Sequence, residues 1–324
     1  MEKRYDVVAL GELLIDFTQN GMSSQGNPLF EANPGGAPCN VLSMLNNLGR
    51  KTAFIGKVGN DQFGLTLKST LEELGIGTEN LLLDPKVHTT LALVHTLADG
   101  DRDFSFYREP GADMMLKARE VREDLIASAK IFHFGTLSMT HPEVREATKA
   151  ALEMAKKAGC LISFDPNLRE PLWDSLDTAA QQVRYGLQYC DVLKISDNEI
   201  RWFTEEEDFD AGVRKLRQIR DIPLILVSMG KEGSRAYYRD LVVEQPPFLR
   251  SDTVDTTGAG DCFCANVLDG VLSCGLEDLT QGTLQNMLRR ANAAASIVTT
   301  RKGALRVMPT AAEIEKVLSS DEIP

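Results

Sequence analysis

The sequence predicts an α/β protein with a largely parallel sheet, because short apolar runs alternate with amphipathic stretches of helical spacing. The 324 residues, 43% of them hydrophobic, suffice to bury the core of one such domain. Two segments that alternate polar and apolar residues, without a helix between, interrupt this rhythm. We therefore expect a single domain spanning residues 1–324, with helices flanking a central, mostly parallel sheet and a small β-strand lid.

Five short apolar runs have the length and composition of strands in such a sheet. They lie at residues 7–10, 131–134, 161–164, 192–195 and 224–227. Apolar residues that recur every three or four positions predict helices at residues 143–158 and 211–220. The connections between these elements are short, as parallel βαβ units require.

The two interrupting segments are residues 13–34 and 89–112, in which apolar and polar side chains alternate with the period of a strand. We expect antiparallel ribbons that stand apart from the central sheet as a lid or a dimer surface. Ordinary surface hairpins would give the same pattern. Exposed ribbon edges favour pairing with a second copy, so we expect a homodimer through the lid strands.

The charge balance argues against two classes of partner. The chain has 35 Lys and Arg against 47 Asp and Glu, so its formal charge is −12 and it lacks a global positive field for nucleic acid or an anionic membrane. No apolar run approaches the roughly 20 residues that span a bilayer. We expect neither nucleic acid nor membrane as a partner, and any phosphate ligand must be held locally.

The cysteines and histidines do not suggest a zinc or disulfide framework. The six cysteines are scattered without a Cys-x-x-Cys pair, and the four histidines are isolated from one another. The N-terminus runs from charged residues into a strand-like segment rather than an apolar signal segment. We therefore expect reduced cysteines and a cytoplasmic protein.

Residues 255–261, where threonines and glycines lead into an apolar helix-like stretch, are the most informative about chemistry. The first N–H groups of a helix lack intrahelical partners and lie at the positive end of its dipole, so they can cradle a phosphoryl group. The amides of Gly258, Ala259 and Gly260 would stabilise charge on that group, while Asp261 accepts a proton from an attacking hydroxyl. The alternative is that Asp261 only caps the helix.

A second glycine-rich turn, at residues 33–40, also precedes a helix-like stretch. Gly35 and Gly36 let a polyol touch the backbone, and Asn40 offers both a donor and an acceptor to sugar hydroxyls. Together with Asp16, these residues would converge on a neutral, hydroxyl-rich substrate.

Two common nucleotide fingerprints are absent from the sequence. Residues 56–64 are rich in glycine, yet no Gly-Lys-Ser/Thr of a P-loop follows. Gly258-x-Gly260 ends in Phe263, where a dinucleotide fingerprint needs Gly or Ala.

The motifs resemble, in order and across essentially the whole chain, the two signatures of the PfkB, or ribokinase-like, carbohydrate kinase family. The first signature comprises Gly35 and Gly36 with residues 56–64, and the second is residues 255–261. The fructokinase branch is resembled most closely, in residues 35–40, 106–108, 112–113, 165–169 and 194–199. The resemblance implies a three-layer ribokinase-like fold, with ATP and Mg²⁺ as cofactors.

The resemblance also implies roles for individual residues. Asp261 matches the catalytic base, and Gly258, Ala259 and Gly260 match the anion hole. Arg169 would make paired contacts with phosphates, although a surface ion pair is the alternative. The substrate-binding positions are Asp16, Gly35, Gly36, Asn40, Phe106, Arg108, Asn167 and Arg169. The nucleotide-binding positions are Lys194, Ser228, Gly230, Lys231, Gly233 and Asn292.

Metal use follows from the same resemblance. Glu199 matches the glutamate of an Asn-x-x-Glu motif that orients Mg²⁺-bound water, but Ser196 replaces the asparagine, and its role is left open. Asp255, Thr257 and Gly303 resemble a monovalent-cation site, which is compatible with activation by K⁺.

The expected reaction is transfer of the γ-phosphoryl group of MgATP to the 6-hydroxyl of D-fructose, with Asp261 as base. A 2-keto-3-deoxygluconate kinase or another PfkB sugar kinase is the alternative within the family, and its carboxylate substrate would need an arginine such as Arg108. A non-catalytic sugar- or nucleotide-binding protein of the same fold is the remaining alternative.

Overall fold

A nine-stranded β-sheet forms the centre of the computed structural model, which describes residues 3–96 and 102–320. Seven neighbouring strands pair in parallel, whereas two further strands pair antiparallel at one edge. The strand order is β13 (Leu241–Gln245), β12 (Ser234–Tyr238), β11 (Leu224–Ser228), β10 (Val192–Ser196), β9 (Leu161–Asp165), β8 (Ala129–Gly135), β1 (Tyr5–Leu10), β4 (Thr52–Gly59) and β5 (Gly77–Asp84). The five strands predicted from the sequence all lie in this sheet.

Helices cover both faces of the sheet, which confirms the predicted three-layer α/β architecture. One layer consists of α1 (Ala37–Asn47), α2 (Gln62–Glu73), α8 (Ala259–Cys274), α9 (Gln281–Val298) and α10 (Ala311–Ser319). The other consists of α3 (Glu123–Ala127), α4 (Pro142–Lys157), α5 (Leu176–Leu187), α6 (Asp197–Thr204) and α7 (Phe209–Ile219). Among these helices, none is both long and apolar enough to cross a membrane.

The helix layers bury both faces of the sheet. Because the side chains of a strand alternate between its two sides, residues of the same strand contribute to both buried faces. In β1, Val7 and Ala9 belong to the core under α1 and α8, while Val8 and Leu10 belong to the core under α4 and α5. All four are fully buried. For this reason the sequences of the central strands are continuous apolar runs rather than alternations of apolar and polar residues.

A separate four-stranded sheet, which we call the lid sheet, contains the two predicted ribbons. Its order is β3 (Pro28–Gly35), β2 (Leu14–Met22), β6 (Leu91–Thr96) and β7 (Arg102–Tyr107). The pairs β2–β3 and β6–β7 are antiparallel, as expected from the sequence, but β2 and β6 join the two ribbons in parallel. Residues 97–101 of the predicted 89–112 insertion lie outside the described residues.

A buried ion pair ties the end of β7 to the main domain. The guanidinium of Arg108 donates to Asp113 Oδ2 from Nη2 at 2.7 Å and from Nε at 2.9 Å, and both side chains are 3% exposed. Arg108 also donates to the Thr140 hydroxyl and to the Leu137 carbonyl, while Thr90 donates its hydroxyl to Asp113. The pair thus fixes how the lid sheet meets the central sheet.

We predict that Asp113→Ala destabilises the protein by about 3–5 kcal/mol, because it leaves the Arg108 guanidinium buried without its carboxylate. Urea denaturation followed by circular dichroism measures the change. Asp124→Ala, which removes the partner of Arg122 in an exposed pair, is the matched control and should have little effect. Equal losses in the two variants would contradict the assignment of Arg108 and Asp113 as a structural anchor.

Candidate active site

The carboxyl ends of the parallel strands border an open cavity of about 680 Å³, which we call the central cavity. In an open α/β sheet, ligands bind in a crevice at this edge, where strand order reverses. Here the chain runs from β1 outward to β4 and β5 on one side and to β8 and later strands on the other. The walls come from the lid sheet, the start of α1, residues 167–169 and residues 253–261.

The first turn of α8 projects into the central cavity. Its N-cap is Gly258, whose φ of +78° is a left-handed conformation that side chains disfavour. A Cβ at this position would also come within 3.0 Å of the Ala304 Cβ. Gly258, Gly260 and Asp261 line the cavity at this turn, where the first N–H groups of a helix lack intrahelical partners. The N–H of Ala259 donates to the Thr256 carbonyl at 3.2 Å.

Asp261 lies at the third position of α8, lines the central cavity and is only 7% exposed. The side-chain amide of Asn40, on α1, donates to its Oδ2 atom at 2.8 Å. Burial raises the pKa of Asp261, while the Asn40 hydrogen bond and the positive charge of Lys194 oppose that rise. A carboxylate poised in this way is a suitable general base for a hydroxyl group.

Of the eight predicted substrate-binding residues, six line the central cavity and two are exceptions. The six are Asp16 on β2, Gly36, Asn40, Phe106 on β7, Asn167 and Arg169. Gly35 is not part of the lining but packs against Asp16, since a Cβ on it would lie 2.5 Å from Asp16 Oδ2. Burial raises the pKa of Asp16 to about 7, with Arg169 lowering it and Asp255 raising it further.

Arg108 is the second exception. Its guanidinium is held by Asp113, Thr140 and Leu137 rather than facing the cavity, whose lining does not include it. The structure therefore does not bring Arg108 into the lining of the central cavity, since its guanidinium is engaged with Asp113 instead. In the Tyr107-Arg108 pattern, Arg108 therefore serves to anchor the lid sheet to the main domain.

A second cavity, of about 290 Å³, adjoins the central cavity at Thr253, Thr256 and Gly260, which line both. It contains five of the six positions predicted to bind a nucleotide: Ser228, Gly230, Lys231, Gly233 and Asn292. The Asn292 amide donates to the Pro246 carbonyl at 2.9 Å, which fixes the loop on the opposite wall. Two ligands in these cavities would meet beside the start of α8.

The sixth position, Lys194, lies elsewhere. It lines the central cavity and a third cavity of about 280 Å³, which also contains Asn167, Arg169, Ser196 and Glu199. The structure thus brings Asn167 and Arg169 together with Glu199, the residue predicted to orient Mg²⁺-bound water.

Ser196 and Glu199 form a capping box at the start of α6. Glu199 Oε2 accepts hydrogen bonds from the backbone N–H and the hydroxyl of Ser196, both at 2.8 Å, and Glu199 Oε1 accepts one from Leu168 N at 2.7 Å. The hydroxyl of Ser196 therefore orients Glu199 directly. This is a structural role for the residue that departs from the family motif.

Asp255 connects the two segments of the predicted monovalent-cation site. Its Oδ1 atom accepts from Thr257 N at 2.7 Å, and its Oδ2 atom accepts from Gly303 N at 3.3 Å. Among residues 3–96 and 102–320, no group of three or more His, Cys, Asp or Glu side chains is placed to hold a metal ion. Backbone oxygens, water or phosphate oxygens would have to complete any cation site.

Two acidic residues of this region were not among the predicted site residues. Glu12 lines the central cavity, accepts a hydrogen bond from Ala37 N at 2.8 Å, and has its pKa raised to about 7 by burial. Asp165, at the end of β9, pairs with Lys194. Both lie at the carboxyl end of a parallel strand, Asp165 as its last residue and Glu12 two residues beyond it, which is the sequence signal that could have identified them.

Comparisons with known proteins agree with this geometry. The chain is 41% identical over 311 residues to fructokinase-2 of Solanum lycopersicum, covering 95% of this chain and 94% of that protein. A fructokinase structure from Xylella fastidiosa with bound ATP superposes with a TM-score of 0.89 at 30% identity and 98% coverage of both chains. A fructokinase double mutant from Vibrio cholerae, with fructose, ADP and potassium bound, superposes with a TM-score of 0.87 at 27% identity, covering 98% of this chain and 99% of that one.

The family model described as pfkB family carbohydrate kinase matches residues 4–311. That range contains Asp261, Gly258, Asp16 and Phe106, which line the central cavity. The match, together with the fold and the motif order, leads to one conclusion: the chain belongs to the pfkB family of carbohydrate kinases.

Proposed function

We propose that this protein is an ATP-dependent fructokinase that transfers the γ-phosphoryl group of ATP to the 6-hydroxyl of D-fructose. The observation that carries the proposal is the position of Asp261, a buried carboxylate in the first turn of α8, where the central and second cavities meet. Relatives named fructokinase, with ATP or with fructose and ADP bound in solved structures, support the choice of substrates.

The sugar lies in the central cavity and the nucleotide in the second cavity. The 6-hydroxyl oxygen attacks the γ-phosphorus in line, and the bond from that phosphorus to the oxygen bridging to ADP breaks. Asp261 accepts the hydroxyl proton, and Asn40 holds the carboxylate in place through its 2.8 Å hydrogen bond. The proton then leaves to solvent as the products depart.

The start of α8 at Gly258, Ala259 and Gly260 stabilises the charge of the transferred phosphoryl group, and Arg169 and Lys194 line the same central cavity. Mg²⁺ bound with ATP would neutralise charge on its phosphates, and Glu199 fits the role of holding a metal-bound water because its carboxylate is already oriented by Ser196 and Leu168. Asp255, Thr257 and Gly303 fit a K⁺ site in the neighbouring loops.

The lid sheet contributes Asp16 and Phe106 to the sugar end of the cavity. Its closure over a bound sugar would exclude water, whose attack on ATP would waste the phosphoryl group. Residues 13–34 and 89–112 thus act as the lid of a single kinase domain.

The engagement of Arg108 with Asp113 argues against a substrate with a carboxylate. At the sugar end, the cavity has the acidic side chains of Glu12 and Asp16. A neutral ketose fits these acceptors, since each carboxylate can accept hydrogen bonds from hydroxyl groups. We therefore favour fructose over 2-keto-3-deoxygluconate.

We also propose that the protein is cytoplasmic. All six cysteines are free thiols and five of them are buried, which agrees with a reducing compartment.

A coupled assay of ADP release over fructose, ribose, a nucleoside and 2-keto-3-deoxygluconate tests the substrate. We expect the highest kcat/KM with fructose, because the sugar end offers carboxylate acceptors and holds Arg108 away. A preference for 2-keto-3-deoxygluconate would overturn the choice of sugar. Lack of turnover with every member would favour a non-catalytic binding protein.

Replacing the base tests the mechanism. Asp261→Asn should lower kcat by about 10²–10⁴-fold while leaving fructose binding nearly unchanged, because the amide keeps the shape but cannot accept the proton. In the unmodified enzyme, kcat/KM should fall as the pH drops through the raised pKa of Asp261, and the variant should lack this acid limb. Asp269→Asn, at the far end of α8 in a pair with Arg50, is the control and should retain activity. Unchanged kcat in Asp261→Asn would exclude its role as base.

A homodimer through the lid sheet is the proposed assembly. Four large apolar side chains of this sheet are exposed: Met22, Leu29, Phe30 and Tyr107. Sedimentation velocity should therefore give about twice the chain mass of 35.7 kDa, and Leu29→Glu should shift the protein toward monomer. Val242→Glu, which alters an exposed apolar residue on the edge strand β13, should leave the dimer intact. A monomer at all concentrations would refute the proposal.

A further inference from the structure

A buried ion pair lies between the central and third cavities. Lys194 Nζ is 3.1 Å from Asp165 Oδ2 and 3.2 Å from Asp165 Oδ1, and the two side chains are 8% and 3% exposed. Leu193 lies opposite Phe164 in the parallel ladder of β10 and β9, so Lys194 and Asp165 are the next residues along two neighbouring strands. Both are thus held by the rigid sheet rather than by a loop.

The ammonium of Lys194 lies beside the anion cradle. A Cβ built on Gly260 would be 3.1 Å from Lys194 Nζ, so the lysine packs closely against the first turn of α8 and a side chain at residue 260 would displace it. Lys194 also lines the cavity that contains Asn167 and Arg169. Its charge therefore faces the point where the two ligands of the proposed reaction would meet.

Asp165 also orders the loop that follows β9. Its Oδ1 atom accepts a hydrogen bond from Asn167 N at 3.2 Å, and Asn167 has a φ of +44°. Asparagine tolerates this left-handed conformation better than most residues, but it needs support from its surroundings. One carboxylate thus contacts both the buried ammonium and the turn that leads to Arg169.

We propose that Asp165 is a positioning residue for phosphoryl transfer, which holds the Lys194 ammonium beside Gly260 where charge on the transferred group accumulates. This inference rests on the proposed kinase function. Lys194 acts on the phosphoryl group directly, while Asp165 acts through Lys194.

The other groups that surround Lys194 make this positioning necessary. Glu199 on α6 and Asp261 on α8 both attract the ammonium, and the neutral side chains of His133 and Cys264 lie within its electrostatic range. Without Asp165, the ammonium could be drawn toward Glu199 or Asp261 instead of remaining beside Gly260. A displacement of about 1 Å at a reacting centre can cost about 10²-fold in rate.

A purely structural role for the pair is the alternative. Loss of one partner in a buried ion pair destabilises a protein whatever its position. The experiment must therefore separate a loss of stability from a loss that passes through Lys194.

The test is a double-mutant cycle in the full chain with Asp165→Asn, Lys194→Met and the combined variant, measured with fructose and MgATP. Asparagine still offers an oxygen to Asn167 N, so the single variant removes the charge rather than the turn. We expect each single variant to lower kcat by about 10²-fold with the KM for fructose changed by less than about threefold. The combined variant should match Lys194→Met alone, because Asp165 acts through the lysine.

Asp191→Asn is the matched control. Asp191 precedes β10 at the amino end of the strand, whereas Asp165 lies at a carboxyl end, and it pairs with Arg220 at 2.6 Å. The Asp191→Asn variant should have a lower thermal stability and an unchanged kcat. If Asp165→Asn fails to fold, Asp165→Glu replaces it in the cycle, since the displaced carboxylate should cause the same non-additive loss.

Two results would overturn the proposal: an unchanged kcat in the Asp165 variant, or losses that multiply when the two changes are combined. Failure of the kinase function itself is distinguishable, because the unmodified protein would then show no turnover with any sugar of the panel.

Discussion

Gly258 adopts a φ of +78° with Ala304 packed 3.0 Å from where its Cβ would be, and the start of α8 depends on this turn. Because the chain enters the helix from a left-handed residue, the helix starts at the cavity wall and Asp261 follows on its first turn. Asn40, Lys194 and the lid sheet are then arranged around that turn. A side chain at residue 258 would disturb all of them at once.

The site concentrates charge in a protein that is acidic overall, with a formal charge of −12. Glu12, Asp16, Asp255 and Asp261 line the central cavity, and Arg169 and Lys194 are the basic residues in the same lining. Burial raises the pKa of Glu12 and Asp16 to about 7, so near neutral pH these carboxyl groups can donate as well as accept hydrogen bonds with hydroxyl groups. The acidic side chains thus suit a polyol substrate, and Arg169 and Lys194 suit the phosphates of the phosphoryl donor.

Ion pairs serve two different purposes in this molecule. Arg108 and Asp113 join the lid sheet to the main domain and leave the cavity free of that guanidinium. Asp165 and Lys194 lie instead at the carboxyl edge of the central sheet, next to Gly260. Both pairs join a cationic side chain to a carboxylate. The pair of Arg108 and Asp113 supports folding, whereas the pair of Asp165 and Lys194, which lies next to α8, supports the proposed catalysis.

The alternation of strands and helices, the two ribbons and the glycine turn before Asp261 could all be predicted from the sequence, because each is a local pattern of period or turn chemistry. Which polar residues share a cavity could not be predicted in this way and was established by the fold. It joined the ribbons through β2 and β6, directed Arg108 to Asp113, and brought Lys194 to Asp165 rather than to the second cavity. These contacts connect residues from different strands and loops, and no periodicity within one segment specifies the partner of a buried charge.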